Sequence, residues 1–250
     1  MYFYIYDIFL NDKKFNNILT KTEDRLADLD IKGKVCRLNL LKNLKELLVD
    51  AKKNGAKTVV AVGDDVTFNK IINAAIDLDL VVGYIPLVKN SKIAEILGIF
   101  PLEKACDILA QRIIKKIDLG KINNYYFINS AKIIKENVII KLNNFAITTL
   151  RNNQIHFCNL GVEALNFNYH CHPADGLLEL IIVPEQKKFI FKAKKTEKQS
   201  VFPFTKLKVN SLNDQATILI DDKVMIKTPA EIEVVSGKLK VVVGSNRHFD

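Results

Sequence analysis

The first half of the chain alternates between short apolar runs and longer segments in which apolar residues recur with helical spacing. The short apolar runs typical of strands are 2–6, 35–38, 58–62 and 81–85. The third run is continuous and β-branched, as buried parallel strands are. The segments with helical spacing are 13–29, 42–53, 67–75, 91–97 and 102–117. Strands separated by helices predict right-handed βαβ units and a parallel sheet covered on both faces.

The pattern changes beyond about residue 118, where short runs rich in Val, Ile and aromatic residues follow one another. These runs are 125–128, 137–142, 146–150, 154–158, 177–183, 207–209, 216–220, 231–235 and 239–243. Their regular spacing between turn residues is typical of an antiparallel sandwich or barrel. We therefore predict an α/β protein with a parallel-sheet domain at 1–120, followed by an antiparallel β-sandwich domain at 121–250.

The composition excludes several classes of protein. The chain is 48% hydrophobic and 26% charged, which argues against wholesale disorder. Its longest apolar stretch, 80–88, is far shorter than the roughly 20 residues of a membrane-spanning helix. The first residues lack the basic start and long apolar core of a signal peptide. The four cysteines form no C-x-x-C pair; they are Cys36, Cys106, Cys158 and Cys171. We therefore expect all four to be reduced thiols and the protein to be cytoplasmic.

The net charge of +9 is unevenly distributed, with +3 on residues 1–120 and +6 on residues 121–250. A basic half suits an anionic partner such as a nucleotide, a nucleic acid or a lipid surface. A solubilising surface explains the same charge equally well, so charge alone does not choose between them.

Two polar turns follow predicted strands at the edge where an open parallel sheet binds its ligands. The first, at 63–69, reads GDDVTFN, and the second, at 85–92, reads IPLVKNSK. A tight turn in which Asp and Thr cap a helix explains the first without any function. Two such turns on one edge also form a candidate anion site.

These motifs resemble the diacylglycerol kinase catalytic family of bacterial lipid kinases, which is related to sphingosine kinases and more distantly to NAD kinases. The family patterns G-G-D-G-T, I-P-x-G-T-G-N-D and D-G-E fall on 63–67, 85–92 and 221–223. The segment at 172–179 resembles the pattern P-x-A-x-x-D-G-x-L-D/E, shortened by one or two residues. The matches occur in the right order over almost the whole chain. The resemblance implies a nucleotide-binding domain, a lipid or substrate domain, and ATP- and Mg²⁺-dependent phosphoryl transfer to a lipid hydroxyl such as that of diacylglycerol.

The resemblance also implies the roles of individual residues. Nucleotide contacts fall on Gly63, Asp64, Asp65, Thr67, Asn69, Lys89 and Lys92. Asp221 falls on the general base, which takes the proton from the lipid hydroxyl. Asp175 and the Leu177 carbonyl match a structural Mg²⁺ site of some members, in which His172 here replaces a Lys.

The chain departs from the family where phosphate is bound. Asp64 and Val66 replace glycines whose backbone N–H groups approach phosphate closely, and the second glycine loop is absent. Residues 7–12 stand where the family has an N-P-x-S-G loop. Since a β-branched Val is strained at positive φ, we expect that the standard loop does not form. Lys89 and Lys92 then compensate by holding phosphate through side-chain charge.

Three further features have two interpretations each. Asp221 and Asp222 suit a shared metal, and equally an exposed hairpin turn. His156 and the segment at 170–172 contain metal-ligand side chains without an evident fourth ligand. The Lys-rich segment at 187–195 suits docking on an anionic membrane surface, or an ordinary solvated strand and turn.

The sequence therefore favours a lipid kinase that uses ATP and Mg²⁺. The alternative is a catalytically inactive family member that binds nucleotide or lipid, which the lost glycines favour and the retained Asp65 and Asp221 oppose. NAD kinase-like activity is a weaker alternative. We expect no nucleic acid partner, and the oligomeric state is open.

Overall fold

The computed structural model describes residues 1–39, 43–88, 90–134, 137–149, 153–164, 167–184, 199–212 and 214–249. Contacts divide the chain into two compact units. Unit 1 comprises Met1–Ile117 and Lys238–Asp250, and unit 2 comprises Asp118–Gly237. Lys89 and the Lys-rich segment at 187–195 lie outside the described residues. No helix among the described residues has both the length and the apolar character needed to cross a membrane.

Unit 1 is built on a parallel sheet. Its strands are β1 (Tyr2–Tyr6), β2 (Gly33–Arg37), β3 (Thr58–Gly63) and β4 (Val81–Pro86). They pair in the order β2-β1-β3-β4, and every residue of β3 is buried. Lys240 and Val241, near the end of the last strand of the chain, extend this sheet by pairing in parallel with β4.

Among the described residues, five α-helices connect and cover these strands. They are α1 (Asn16–Asp28), α2 (Leu44–Lys53), α3 (Asp65–Ala75), α4 (Lys92–Ile96) and α5 (Ala105–Gln111). Side chains of Asn43, Asp64 and Ser91 accept hydrogen bonds from the first turns of α2, α3 and α4, which fixes where these helices begin.

The helix predicted at 102–117 is wrong beyond Gln111. Arg112 adopts a left-handed φ of 55°, which ends α5. The chain then continues as strand β5 (Ile114–Ile122). Pairing of β5 with the final strand of the chain overrides the local helical spacing.

Unit 2 is antiparallel. Its strands after β5 are β6 (Tyr125–Phe127), β7 (Ser130–Ile134), β8 (Val138–Lys141), β9 (Ala146–Thr149), β10 (Asn153–Cys158), β11 (Gly161–Ala164), β12 (Phe167–His170), β13 (Leu178–Pro184), β14 (Ser200–Phe204), β15 (Lys206–Ser211), β16 (Thr217–Ile220), β17 (Val224–Lys227) and β18 (Ala230–Val242). One sheet has the order β14-β13-β10-β7-β16-β17, and a second joins β9, β8, β15 and the first residues of β18.

Alternate residues of the two sheets form one buried apolar core in unit 2. Phe157 and Leu180 of the first sheet belong to it together with Ile140, Val209 and Ile232 of the second. This is a sandwich with a shared core between two antiparallel sheets. The predicted fold class, a parallel-sheet α/β region followed by an antiparallel β-sandwich, is confirmed.

Candidate functional site

The turn after β3 is both a helix cap and a cluster of polar side chains. Asp64 has an extended backbone, and its Oδ1 accepts a hydrogen bond from the backbone N of Thr67 at 2.8 Å and lies 2.9 Å from Thr67 Oγ1. Helix α3 begins at the next residue, Asp65. The capping interpretation of this motif is therefore correct, and it leaves the carboxylates of Asp64 and Asp65 half-buried at the carboxyl edge of the sheet.

Asp7, at the end of the neighbouring strand β1, joins this cluster. Its Oδ2 lies 2.6 Å from Thr67 Oγ1, and its Oδ1 accepts a hydrogen bond from Phe9 N at 3.1 Å. Both Asp7 and Thr67 are buried. Sequence analysis noted residues 7–12 only as the place of a missing loop; the available signal was an acid directly after a buried strand.

Gly63 allows this close approach. A Cβ at position 63 would lie 2.8 Å from Thr67 Oγ1 and 3.2 Å from Asp7 Cβ. The glycine is therefore needed for space beside Thr67, and not for a positive φ.

Asp65 connects the first turn to the second. Its Oδ1 accepts a hydrogen bond from the Tyr84 hydroxyl at 2.8 Å and another from Ser91 Oγ, which also caps α4. Phe68 stacks on Tyr84 with ring centroids 4.5 Å apart. Burial, and then the Asp65 carboxylate, raise the pKa of Tyr84, so its hydroxyl stays a donor. The two predicted turns thus meet at one edge of the sheet.

The backbone of the first turn differs from a glycine-rich phosphate loop. No residue from Gly63 to Thr67 has a positive φ, and Val66 lies unstrained in the first turn of α3. The expectation that the standard loop does not form agrees with this geometry. In the described part of the second turn, Asn90 has a φ of 68°.

Two further predicted nucleotide contacts lie on the helices that follow these turns. Asn69 is buried on α3, and Lys92 is exposed as the first residue of α4. The structure therefore groups Gly63, Asp64, Asp65 and Thr67 closely, and adds Asp7, Tyr84 and Ser91 to them.

Asp221 lies in unit 2, in the hairpin turn between β16 and β17. Asp221 and Asp222 have φ values of 42° and 59°, and Lys223 N donates to Ile220 O at 2.9 Å. Asp and Asn are among the few residues that adopt this left-handed conformation readily. The hairpin interpretation of this pair is therefore correct.

The Asp221 carboxylate is held by the backbone of a neighbouring turn. It accepts hydrogen bonds from the backbone N of Ile128 at 3.3 Å, of Asn129 at 3.2 Å and of Ser130 at 2.9 Å. Asp222, in contrast, is exposed and forms an ion pair with Lys132. The two adjacent carboxylates thus have different surroundings.

The predicted structural Mg²⁺ ligands lie in another turn of unit 2. Asp175 is exposed, and its Oδ1 accepts a hydrogen bond from Leu177 N at 2.9 Å. The buried Asp118 holds this turn, because its Oδ2 accepts from Gly176 N at 2.7 Å. His172 is exposed. Metal binding by Asp175 and the Leu177 carbonyl stays a prediction.

The expectation of four reduced thiols is wrong for two of them. Cys158 and Cys171 form a disulfide, whereas Cys36 and Cys106 are buried thiols. Cys158 ends β10, and Cys171 follows β12, where its N donates to Leu160 O at 3.0 Å. The hairpin of β11 and β12 therefore brings together two cysteines that are 13 residues apart in sequence.

Two buried titratable groups lie on the same sheet as this disulfide. Burial lowers the pKa of His156 to about 4, and burial raises the pKa of Glu179 to about 7. His156 Nε2 and Glu179 Oε2 have no hydrogen-bond partner among the described residues. Sequence analysis named His156 as a possible metal ligand but gave Glu179 no separate role.

Comparisons with known proteins connect this geometry to one family. Residues 4–122 match the model of the diacylglycerol kinase catalytic domain. The chain is also similar to a diacylglycerol kinase of Bacillus subtilis (strain 168), with 37% identity over 78 residues. That match covers 29% of this chain and only 25% of the relative's length.

A solved structure resembles the whole fold. The crystal structure of a diacylglycerol kinase from Bacillus anthracis strain Sterne superposes with a TM-score of 0.76 and covers 98% of this chain and 97% of its own. The sequence identity is 14%, so this likeness concerns the fold alone.

Proposed function

Since residues 4–122 match the model of the diacylglycerol kinase catalytic domain, we propose that the protein transfers the γ-phosphate of ATP to a lipid hydroxyl, such as that of diacylglycerol. The observation that supports this most is the pair of half-buried carboxylates, Asp64 and Asp65, at the carboxyl edge of a parallel sheet. Ligands of open α/β sheets bind at this edge.

The residues at this edge fit Mg²⁺. All hydrogen bonds that the described residues make to Asp64 and Asp65 end on Oδ1, which leaves both Oδ2 atoms for a cation. One or two carboxylates together with substrate phosphates are the usual ligands of Mg²⁺ in kinase sites. When bound, Mg²⁺ would offset the negative charge of the phosphates against that of the carboxylates.

The chain's own residues would then orient and deprotonate the reactants. Thr67 and Asn69 would position the nucleotide beside Asp65, and Lys89 and Lys92 would contact its phosphates through side-chain charge. Asp221 would accept the proton of the lipid hydroxyl as its oxygen attacks phosphorus. Asp175 and the Leu177 carbonyl would bind a second, structural Mg²⁺.

The hydrogen bonds of Asp221 bear on its role as a base. A carboxylate offers about four acceptor positions, and three backbone N–H groups already donate to this one. These bonds fix the orientation of the carboxylate, which favours catalysis. They also give Asp221 a structural function. A test of Asp221 as a base must therefore distinguish lost catalysis from lost stability.

The test is transfer of labelled phosphate from ATP to a mixed lipid extract with Mg²⁺, with the products separated by chromatography. The wild-type protein should label a lipid, and Asp221→Asn should lower turnover by about 10²–10⁴-fold. Asp222→Asn is the matched control, because it changes an exposed carboxylate in the same turn and should leave turnover nearly unchanged. Equal activity of wild type and Asp221→Asn would contradict the role of Asp221. In a parallel reaction with NAD in place of lipid, labelling of NAD but of no lipid would contradict the lipid acceptor.

A second candidate is binding of nucleotide or lipid without turnover. It is favoured by the absence of positive φ values from Gly63 to Thr67, since backbone N–H groups there do not form a phosphate cradle. Calorimetry with Mg-ATP at low and high salt distinguishes the candidates. Weak, salt-sensitive binding with no labelled product from any lipid would support the second, because exposed Lys charges are screened by salt. If the protein bound neither nucleotide nor lipid and transferred no phosphate, both candidates would be refuted.

A further inference from the structure

Three potential metal ligands meet on the outer face of the six-stranded sheet in unit 2. The side chains of Cys158, Cys171 and Glu179 each place a ligand atom within 4.8 Å of the other two, and all three residues are buried. Among the described residues no other group of His, Cys, Asp or Glu meets this spacing. Neither Asp65 nor Asp221 belongs to the group.

The backbone holds each of these residues in place. Cys158 and Glu179 are directly opposite each other on the antiparallel strands β10 and β13, where Cβ atoms lie about 5 Å apart. Cys171 is fixed by the hydrogen bond from its N to Leu160 O, 3.0 Å long. The three side chains come from three anchored segments, which is the arrangement that a preorganised metal site requires.

Glu179 points to a ligand that the polypeptide does not supply. The residue is only 8% exposed, and its Oε2 accepts no hydrogen bond from the described residues. A buried carboxylate oxygen without a partner costs free energy, which a bound cation would recover. The apolar residues Ile181 and Val183 are buried in one cluster with the two cysteines, so the surroundings of this carboxylate are largely apolar.

We propose that Cys158, Cys171 and Glu179 form a binding site for a soft divalent cation of the Zn²⁺ type after a dithiol has reduced their disulfide. In the reduction the protein S–S bond breaks, a new S–S bond forms in the dithiol, and two electrons and two protons pass to the protein as two thiols. Zn²⁺ then binds, and the ligand groups release their protons to solvent.

The spacing suits this chemistry. Tetrahedral Zn²⁺ with bonds of about 2.3 Å to sulfur needs its two sulfur atoms roughly 3.8 Å apart. The Cα atoms of Cys158 and Cys171 are 6.7 Å apart, so rotation of the side chains can open the sulfurs to that distance. Three protein ligands leave the fourth tetrahedral position to water. Two thiolates select Zn²⁺ over Mg²⁺, which prefers oxygen ligands.

The site would connect the same two segments in either redox state. Oxidised, the disulfide joins the end of β10 to the segment after β12. Reduced, the cation would join them through coordination, with Glu179 of β13 as a further ligand. Zn²⁺ would therefore stabilise the reduced protein, since it binds the folded chain preferentially, and would not stabilise the oxidised one.

The experiment titrates Co²⁺, as a spectroscopic substitute for Zn²⁺, into the full chain before and after treatment with dithiothreitol and its removal. We expect one Co²⁺ per reduced chain, a thiolate-to-cobalt charge-transfer band, and displacement of Co²⁺ by Zn²⁺ but not by excess Mg²⁺. The oxidised chain should show no such band. In parallel, Zn²⁺ should raise the melting temperature of the reduced chain only.

Variants identify the ligands. Cys158→Ser and Cys171→Ser should abolish the band, and the nearly isosteric Glu179→Gln, which keeps both thiols, should weaken Co²⁺ binding roughly tenfold or more. Cys106→Ser is the control, because it removes a buried thiol in unit 1 and should leave the band unchanged. The proposal is overturned if reduced wild type gives no thiolate–cobalt band, if the band survives in either Cys158 or Cys171 variant, or if reduction unfolds the chain and Zn²⁺ does not restore it.

Discussion

The pKa values of the buried His156 and Glu179 are shifted in opposite directions, which leads to a quantitative prediction of how the stability of the protein depends on pH. Burial, and then Lys132, lower the pKa of His156 from 6.5 to about 4, while the Asp222 carboxylate opposes this. Burial, and then Asp175, raise the pKa of Glu179 from 4.5 to about 7. Near pH 5.5 both side chains are therefore uncharged in the folded protein and charged in the unfolded chain.

The signs of the two contributions follow from linkage. Between pH 6.5 and 4 the unfolded chain binds more protons at position 156, so stability falls as pH falls. Between pH 7 and 4.5 the folded chain binds more protons at position 179, so stability rises as pH falls. At 1.36 kcal/mol per pKa unit, moving from about pH 8 to about pH 5.5 costs about 1.4 kcal/mol at His156 and contributes about 2 kcal/mol at Glu179. The two nearly cancel in the wild-type protein.

Single substitutions should expose each contribution. Glu179→Gln should lose stability on acidification, by about 2 kcal/mol relative to wild type between about pH 8 and about pH 5.5. His156→Gln should gain about 1.4 kcal/mol relative to wild type over the same interval. The double variant should again vary little with pH.

The assay is urea unfolding of the oxidised protein, with the disulfide intact and a chelator present, at a series of pH values. The free energy of unfolding is obtained by linear extrapolation. If Glu179→Gln and wild type show parallel pH profiles, Glu179 titrates near its ordinary pKa and the reasoning from burial is refuted. Parallel pH profiles of His156→Gln and wild type would refute the reasoning from burial for His156 in the same way.

Three further predictions concern the turn after β3 and the hairpin turn between β16 and β17. Thr67→Val should destabilise the protein by about 1–3 kcal/mol in urea unfolding, because it leaves the buried Asp7 Oδ2 without its donor, whereas Thr67→Ser should lose much less. Asp221→Asn should cost about 2 kcal/mol, since an amide cannot accept all three backbone hydrogen bonds, and equal stability to Asp222→Asn would contradict this. Gly63→Ala should lower the melting temperature, because its Cβ would lie 2.8 Å from Thr67 Oγ1, and an unchanged melting temperature would show that the turn can shift.

Local features of this protein were determined by the sequence alone. The alternation of apolar runs with helical spacing predicted the parallel sheet, and the change past residue 118 predicted the antiparallel region. The N-cap of α3 by Asp64 and the hairpin at Asp221 and Asp222 could also be predicted from the sequence, because their hydrogen bonds connect residues only a few positions apart.

Only the tertiary structure decided which distant side chains meet. Asp7 and Thr67 are 60 residues apart and Asp65 and Ser91 are 26 apart, and each pair meets because parallel strands place their carboxyl ends at one edge. Sequence spacing likewise gave no reason to pair Cys158 with Cys171, since the β11–β12 hairpin sets that distance. The final residues of β18 join the sheet of unit 1 through pairing with β4, far away in sequence. A local pattern encodes hydrogen bonds within a few residues, whereas these contacts depend on strand order and register, which the whole chain determines together.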